Sequence, residues 1–135
     1  MTIEIQHDPA LKLGQTVRFG SATLTADGTV ADGGDGTGPN PHDLYDAALG
    51  ACKAMTVLWY ARRKALPVED VRVSVDRDAS GERSGRYVLS ARMTVRGPLS
   101  PAQLEELLAI AEKCPVHKLM TSVSTEIHTT LALES

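Results

Sequence analysis

The chain reads as an α+β protein in which two main helices separate antiparallel strand pairs, in the order ββ-α-ββ-α-β. Three observations carry this reading. Apolar and polar residues alternate in short runs near the N-terminus, in the middle and at the C-terminal end, as half-buried strands do. A run from Leu44 to Tyr60 is almost wholly apolar or small, bounded by helix-start and helix-stop residues. A second run, opened by Ser100 and Pro101, carries leucines at helical spacing.

In "TIEIQHD", Ile3 and Ile5 alternate with Glu4 and Gln6. After a turn at "PALKLGQ", Val17, Phe19, Ala22 and Leu24 form a second strand, with a slip near Gly20 that predicts a bulge. Residues 2–25 thus predict a β-hairpin. "DGTVADGGDGTGPNP" follows, without lysine and with Asp27, Asp32 and Asp35 to repel phosphate. It reads as a flexible surface loop and not as a nucleotide cradle.

The long helix begins with Asn40 as N-cap, Pro41 at its first position and Asp43 at the positive end of the dipole. Only Asp46, Lys53 and Thr56 interrupt the apolar run. A helix apolar on nearly every side is covered on nearly every side, by its own chain or by a second subunit. Arg62, Arg63 and Lys64 suit its C-terminal end. "VEDVRVSVDRD" and "GRYVLSARMTVRG" alternate cleanly around the loop "ASGERSG", a second hairpin.

Ser100, Pro101 and Gln103 make a capping box for the second helix, whose Leu104, Leu107, Leu108 and Ile110 oppose Glu105, Glu106 and Glu112. Pro115 bars its continuation. A short helical turn through "VHKLM" and a last strand, "SVSTEIHTTLALE", complete the chain. With no repeat or linker, residues 1–135 read as a single domain.

A formal charge of −3, a pI near 5.8 and only one Trp, one Phe and three Tyr argue against nucleic acid as a partner. "MTIEIQHDPALKL" lacks the basic and apolar regions of a signal peptide, and no apolar run approaches the ~20 residues of a membrane span. A cytoplasmic protein without membrane attachment is expected, where two cysteines point to catalysis or metal binding before a structural disulfide.

Cys52 lies among the small residues Gly50, Ala51 and Ala54 and is either a core thiol or an approachable one. Cys114 is flanked by Lys113, His117 and Lys118. Cationic neighbours favour a thiolate while the C-terminal end of a helix disfavours an anion, so local charge does not rank the two sulfurs. A zinc site built from Cys114, His117, Cys52 and His42 fails on geometry. His42 and Cys52 are ten residues apart on one helix, about 15 Å at ~1.5 Å per residue. No G-x-S-x-G is present, and no third residue orients a Cys114–His117 pair.

"GPNPHDLYDAALGAC" and "KCPVHKLM", in that order and with these surroundings, resemble the OsmC/Ohr family of osmotically inducible and organic-hydroperoxide-resistance proteins, and its OsmC-like branch in particular. The resemblance covers nearly the whole chain. It implies an OsmC-like α+β fold in an intertwined homodimer, with strands of both subunits burying the long helices. It also implies a peroxidase acting on organic hydroperoxides, with Cys52 peroxidatic and Cys114 resolving, restored by a dithiol reductant, of lipoyl type in some members of the family, and needing no metal or cofactor. Where the hydroperoxide reductases carry a glutamate after Asn-Pro, this chain has His42 followed by Asp43. Arg18 is the one arginine of the N-terminal hairpin. His42, Asp43, Arg18 and His117 are therefore the supporting polar residues to locate. The alternative is a small-ligand-binding dimer of the same fold with little turnover.

Overall fold

The computed structural model describes residues 1–134. They form two compact units, Met1–Ala48 with Val75–Ser90, and Leu49–Ser74 with residues 91–134.

In the first unit, β1 (Ile3–His7), β2 (Gln15–Phe19) and β3 (Ala22–Ala26) make an antiparallel meander in that order. Ile5 pairs with Val17, and Val17 with Leu24. The expected bulge at Gly20 is instead a turn between two strands. Gly20 has φ of +66°, open to glycine at little cost, and Phe19 pairs directly with Ala22. The period-2 slip was a reversal of the chain, so the hairpin gains a third strand.

The loop after β3 is not loose. Asp27 is buried, and its carboxylate accepts from the N–H groups of Gly28, Asp35 and Thr37 and from the Thr37 hydroxyl at 2.7–3.3 Å. These donors, the Thr37 hydroxyl first, hold the Asp27 carboxyl below its ordinary value. The loop then delivers Asn40. Asn40 Oδ1 accepts the Asp43 N–H at 2.8 Å and Asp43 Oδ2 accepts the Asn40 N–H at 3.0 Å, a reciprocal cap that starts α1 (Pro41–Arg63).

In the second unit, Val57, Leu107 and Ala111 form the buried core, with Tyr60, Val71, Met93 and Val95 packed against it. Helix α2 (Pro101–Ala111) has the expected capping box, Ser100 with Gln103. Tyr60 donates to Glu106 across the α1–α2 contact, and that carboxylate raises the phenol above its ordinary value. The strands β4 (Asp70–Asp78) and β5 (Val88–Arg96) pair as a two-stranded antiparallel sheet. Gly97, where β5 ends, is obligatory: a Cβ there would stand 2.0 Å from the Pro67 carbonyl oxygen, and its φ is +147°. The turn expected at "VHKLM" is a true helix, α3 (Pro115–Thr121).

The α+β class agrees with expectation, but the observed order is βββ-α-ββ-αα. Among the described residues the expected last strand does not form, and residues 123–134 have no regular structure. Alternation records that a segment suits a pleated surface, but a strand forms only where its backbone N–H and C=O groups find a ladder. Here Ile127, Leu131 and Leu133 are exposed, the last two at 99%. Long helix α1 is also only partly covered. Leu49, Val57 and Ala61 are buried, whereas Tyr45, Met55 and Trp59 are exposed.

Candidate functional site

Two polar clusters involve α1, one in each unit. The second unit holds both cysteines. Cys52, half-buried in α1, accepts the Val116 N–H at 3.5 Å on Sγ, and its sulfur lies 4.0 Å from the Thr56 hydroxyl. Cys114 is fully buried at 0% exposure and is the N-cap of α3, in extended conformation. It thus opens α3 and does not merely close α2, so the dipole argument drawn from α2 alone describes half of its surroundings. Both sulfurs are free thiols. A backbone N–H aimed at sulfur is a donor suited to a thiolate.

Lys53, next to Cys52, is buried at 6% exposure. Its ammonium donates to the Ala111 carbonyl at 2.9 Å and to His117 Nδ1 at 3.0 Å. Ala111 is the last residue of α2, so the cation meets the negative end of that helix. An ammonium has only donors, so His117 Nδ1 is the acceptor and the ring proton sits on Nε2.

The first unit holds the other cluster. Arg77 of β4 donates from Nε to Asp46 Oδ2 at 2.5 Å and from Nη2 to Asp43. Tyr87 donates to Asp46 Oδ1 at 2.7 Å. The Arg77 guanidinium, and then the Asn40 N–H, hold the Asp43 carboxyl below its ordinary value. Burial, and then the Asp46 carboxylate, push the Tyr87 phenol up to about 12. His42 Nε2 lies 2.6 Å from Glu82 Oε1, and its ring packs against Tyr87 at 5.9 Å between centroids. Pro41, His42, Tyr45, Glu82 and Tyr87 line a cleft of about 330 Å³.

Of the residues singled out in the sequence, Cys52, Cys114 and His117 lie in the second unit, where Cys52 and its neighbour Lys53 contact Val116 and His117 of the segment that Cys114 opens, and His42 and Asp43 lie in the first. Arg18 is exposed in β2 opposite Glu4 and Thr23 and, among the described residues, belongs to neither cluster. Lys53, Arg77, Glu82 and Tyr87 were missed. The signals existed. Asp46 and Lys53 are charges inside an apolar helix, where burial demands partners. Arg77 continues the period-2 face of Val71, Val73 and Val75, a charge on the inward side of a strand.

Among the described residues, no three His, Cys, Asp or Glu side chains converge as a metal site requires, and no helix is long and apolar enough to cross a membrane. Both cysteines are free thiols, carried by an α+β scaffold of three helices and two antiparallel sheets. Residues 34–129 match the family described as OsmC-like protein, and the chain belongs to that family. Solved structures share the fold. An OsmC-like protein of Mycoplasma pneumoniae superposes with a TM-score of 0.73 at 17% identity, over 90% of this chain and 87% of that one. The organic hydroperoxide resistance protein OsmC of Legionella pneumophila gives 0.67 at 21%, over 90% of each. The organic hydroperoxide resistance protein OhrB of Bacillus subtilis gives 0.58 at 20%, over 90% and 92%. Comparison with curated proteins gives no significant match.

Proposed function

We propose that the protein is a thiol-dependent peroxidase that reduces organic hydroperoxides, with Cys52 as attacking thiolate and Cys114 as resolving thiol. The observation that carries this reading is the 3.5 Å approach of the Val116 N–H to Cys52 Sγ, two residues beyond the second thiol. The difference in exposure supports the order of events. An oxidant from solvent meets half-buried Cys52 first, while Cys114 at 0% exposure is shielded. The Cys52 thiolate attacks the O–O bond, giving a sulfenic acid and releasing the alcohol after protonation. Cys114 then displaces the hydroxyl as water to form a disulfide, which a dithiol of lipoyl type reduces. Names of the Legionella and Bacillus proteins support the substrate class.

The same reading takes the chain as one cytoplasmic domain, since α1, β4 and β5 each contribute residues to both units. It takes the working form as an intertwined homodimer. Exposed Tyr45, Met55 and Trp59 on α1, and an alternating C-terminal segment without a ladder, are surfaces that a second copy covers.

Intact mass and free-thiol count after one equivalent of cumene hydroperoxide, with hydrogen peroxide in parallel, test the proposal. Loss of ~2 Da with both thiols consumed, faster with the organic peroxide, is expected. Cys52→Ser abolishes turnover, and Cys114→Ser stops at a sulfenic acid. Two unreacted thiols overturn the peroxidase and leave the ligand-binding alternative, for which the second unit has an apolar cavity of about 220 Å³ beside Val57, Met93 and Leu107.

A further inference from the structure

Burying an ammonium is costly, and an apolar side chain of similar volume fills such a position at lower cost. Lys53 is buried inside an otherwise apolar helix, so its presence there has to be accounted for. Its two acceptors supply the account. The Ala111 carbonyl, 2.9 Å from Nζ, ends α2; His117 Nδ1, 3.0 Å from Nζ, lies in α3; Cys114 is midway between them in the chain. Meanwhile Cys52 Sγ accepts the Val116 N–H. Two consecutive residues of α1 thus grip residues 111–117 by three polar contacts.

We infer that Lys53 is the positioning residue of the thiol pair: its ammonium, held between the Ala111 carbonyl and His117 Nδ1, fixes the segment that carries Cys114 against Cys52. The inference rests on the pairing of the two thiols proposed above, and it concerns their meeting and not the peroxide. Lys53 acts on the step in which the Cys114 sulfur bonds to the Cys52 sulfur and the sulfenic oxygen leaves as water. It acts equally on the exchange in which oxidised glutathione converts the two thiols to a disulfide and two reduced glutathiones are released.

Glutathione redox buffers therefore provide the test, because they read the effective concentration of one thiol at the other without any peroxide. In the full-length protein, Lys53→Met lowers that effective concentration at least tenfold, raising the potential of the pair by about 30 mV. Lys53→Arg, which keeps a cation and its donors, recovers most of the loss. His117→Leu lowers the value on its own, whereas His117→Asn, with an acceptor oxygen near the place of Nδ1, retains it. Val71→Ala destabilises the core without touching the grip and leaves the value unchanged, which a merely structural role for Lys53 would not allow. Should Lys53→Met not fold, the His117 pair decides. A value within threefold of the wild type in Lys53→Met, or in His117→Leu, overturns the inference, as does a wild-type protein that forms no intramolecular disulfide. Loss of the effect with peroxide turnover intact sinks the positioning role alone. An intact effect without peroxide turnover sinks the peroxidase reading alone.

Discussion

Asp46→Asn tests the reading of the first unit most directly. Asp46 is buried, with 9% of its side chain exposed, and it accepts two bonds, from Arg77 Nε at 2.5 Å and from the Tyr87 hydroxyl at 2.7 Å. A hydrogen bond to a charged group contributes about 1.5–3 kcal/mol and a neutral one about 1 kcal/mol. The charged contribution belongs in the lower half of its range, because Arg77 keeps Asp43 as a second carboxylate and a third of its side chain meets water. Removing both bonds in Asp46→Ala thus costs about 2–3 kcal/mol, most of it from the charge-assisted bond. In Asp46→Asn the amide oxygen still accepts from Tyr87, so the cost falls to about 1–2 kcal/mol. Asp43→Asn, with 45% of the carboxylate side chain exposed, costs less. The assay is urea unfolding at fixed protein concentration, with the slope unchanged between variants. Tyrosinate absorbance gives a second readout. Asp46→Asn removes the carboxylate and lets Tyr87, held near pH 12 by burial and then by Asp46, ionise at lower pH. An Asp46→Asn protein that loses under ~0.5 kcal/mol, a typical surface value, and titrates like the wild type would refute the reasoning.

Acid lability has a defined sign. Asp27 and Asp43 are both held below their ordinary 3.8, so their contribution is present above that pH and is lost as pH falls through their lower folded values. Asp27→Asn is expected to flatten the fall of stability below about pH 4, measured by urea unfolding across pH. At the far end of α1, Ala65 holds φ of +52° while Leu66 N–H reaches the Ala61 carbonyl at 2.8 Å, a Schellman turn with alanine where glycine is usual. The left-handed strain of roughly 1–2 kcal/mol, less the unfolded-state entropy of glycine, predicts that Ala65→Gly stabilises by about 0.5–1 kcal/mol. An unchanged or lower urea midpoint would show the alanine to be unstrained.

Much of this architecture was legible because its determinants are local. Asn40, Pro41 and Asp43 announce a helix start that is then observed, with a return bond from Asp43 in addition, and Ser100 with Gln103 does the same for α2. Alternation marked β4 and β5. The errors share a different cause, for they turn on partners distant in sequence. Gly20 looked like a bulge because a tight reversal and an inserted residue shift the pattern alike. Residues 123–134 have the side chains of a strand and no ladder among the described residues. Arg77 could not be paired with Asp46 on spacing alone, since they lie 31 positions apart, one in α1 and the other in β4. Reading buried charges as requests for partners would have brought both clusters closer, though not the identity of the partner.

The carboxylate of Asp27 divides the segment ahead of α1 into a part that tolerates change and a part that does not. Gly34 and Gly38 pass so near the Gly28 and Thr25 carbonyls that a Cβ would stand 2.2 and 2.1 Å from them, and Asp35 and Thr37 are tied to Asp27. Sequence inserted there would shift the Asn40 cap and the phase of the whole helix behind it. Val30 and Ala31, by contrast, form an exposed tip that makes no bond to Asp27, held only by a local turn in which the Gly33 N–H reaches the Val30 carbonyl. An epitope or a fluorescent label grafted at that tip lengthens the loop without moving the helix, which makes it the natural handle for attaching the protein to a surface or following it in a mixture.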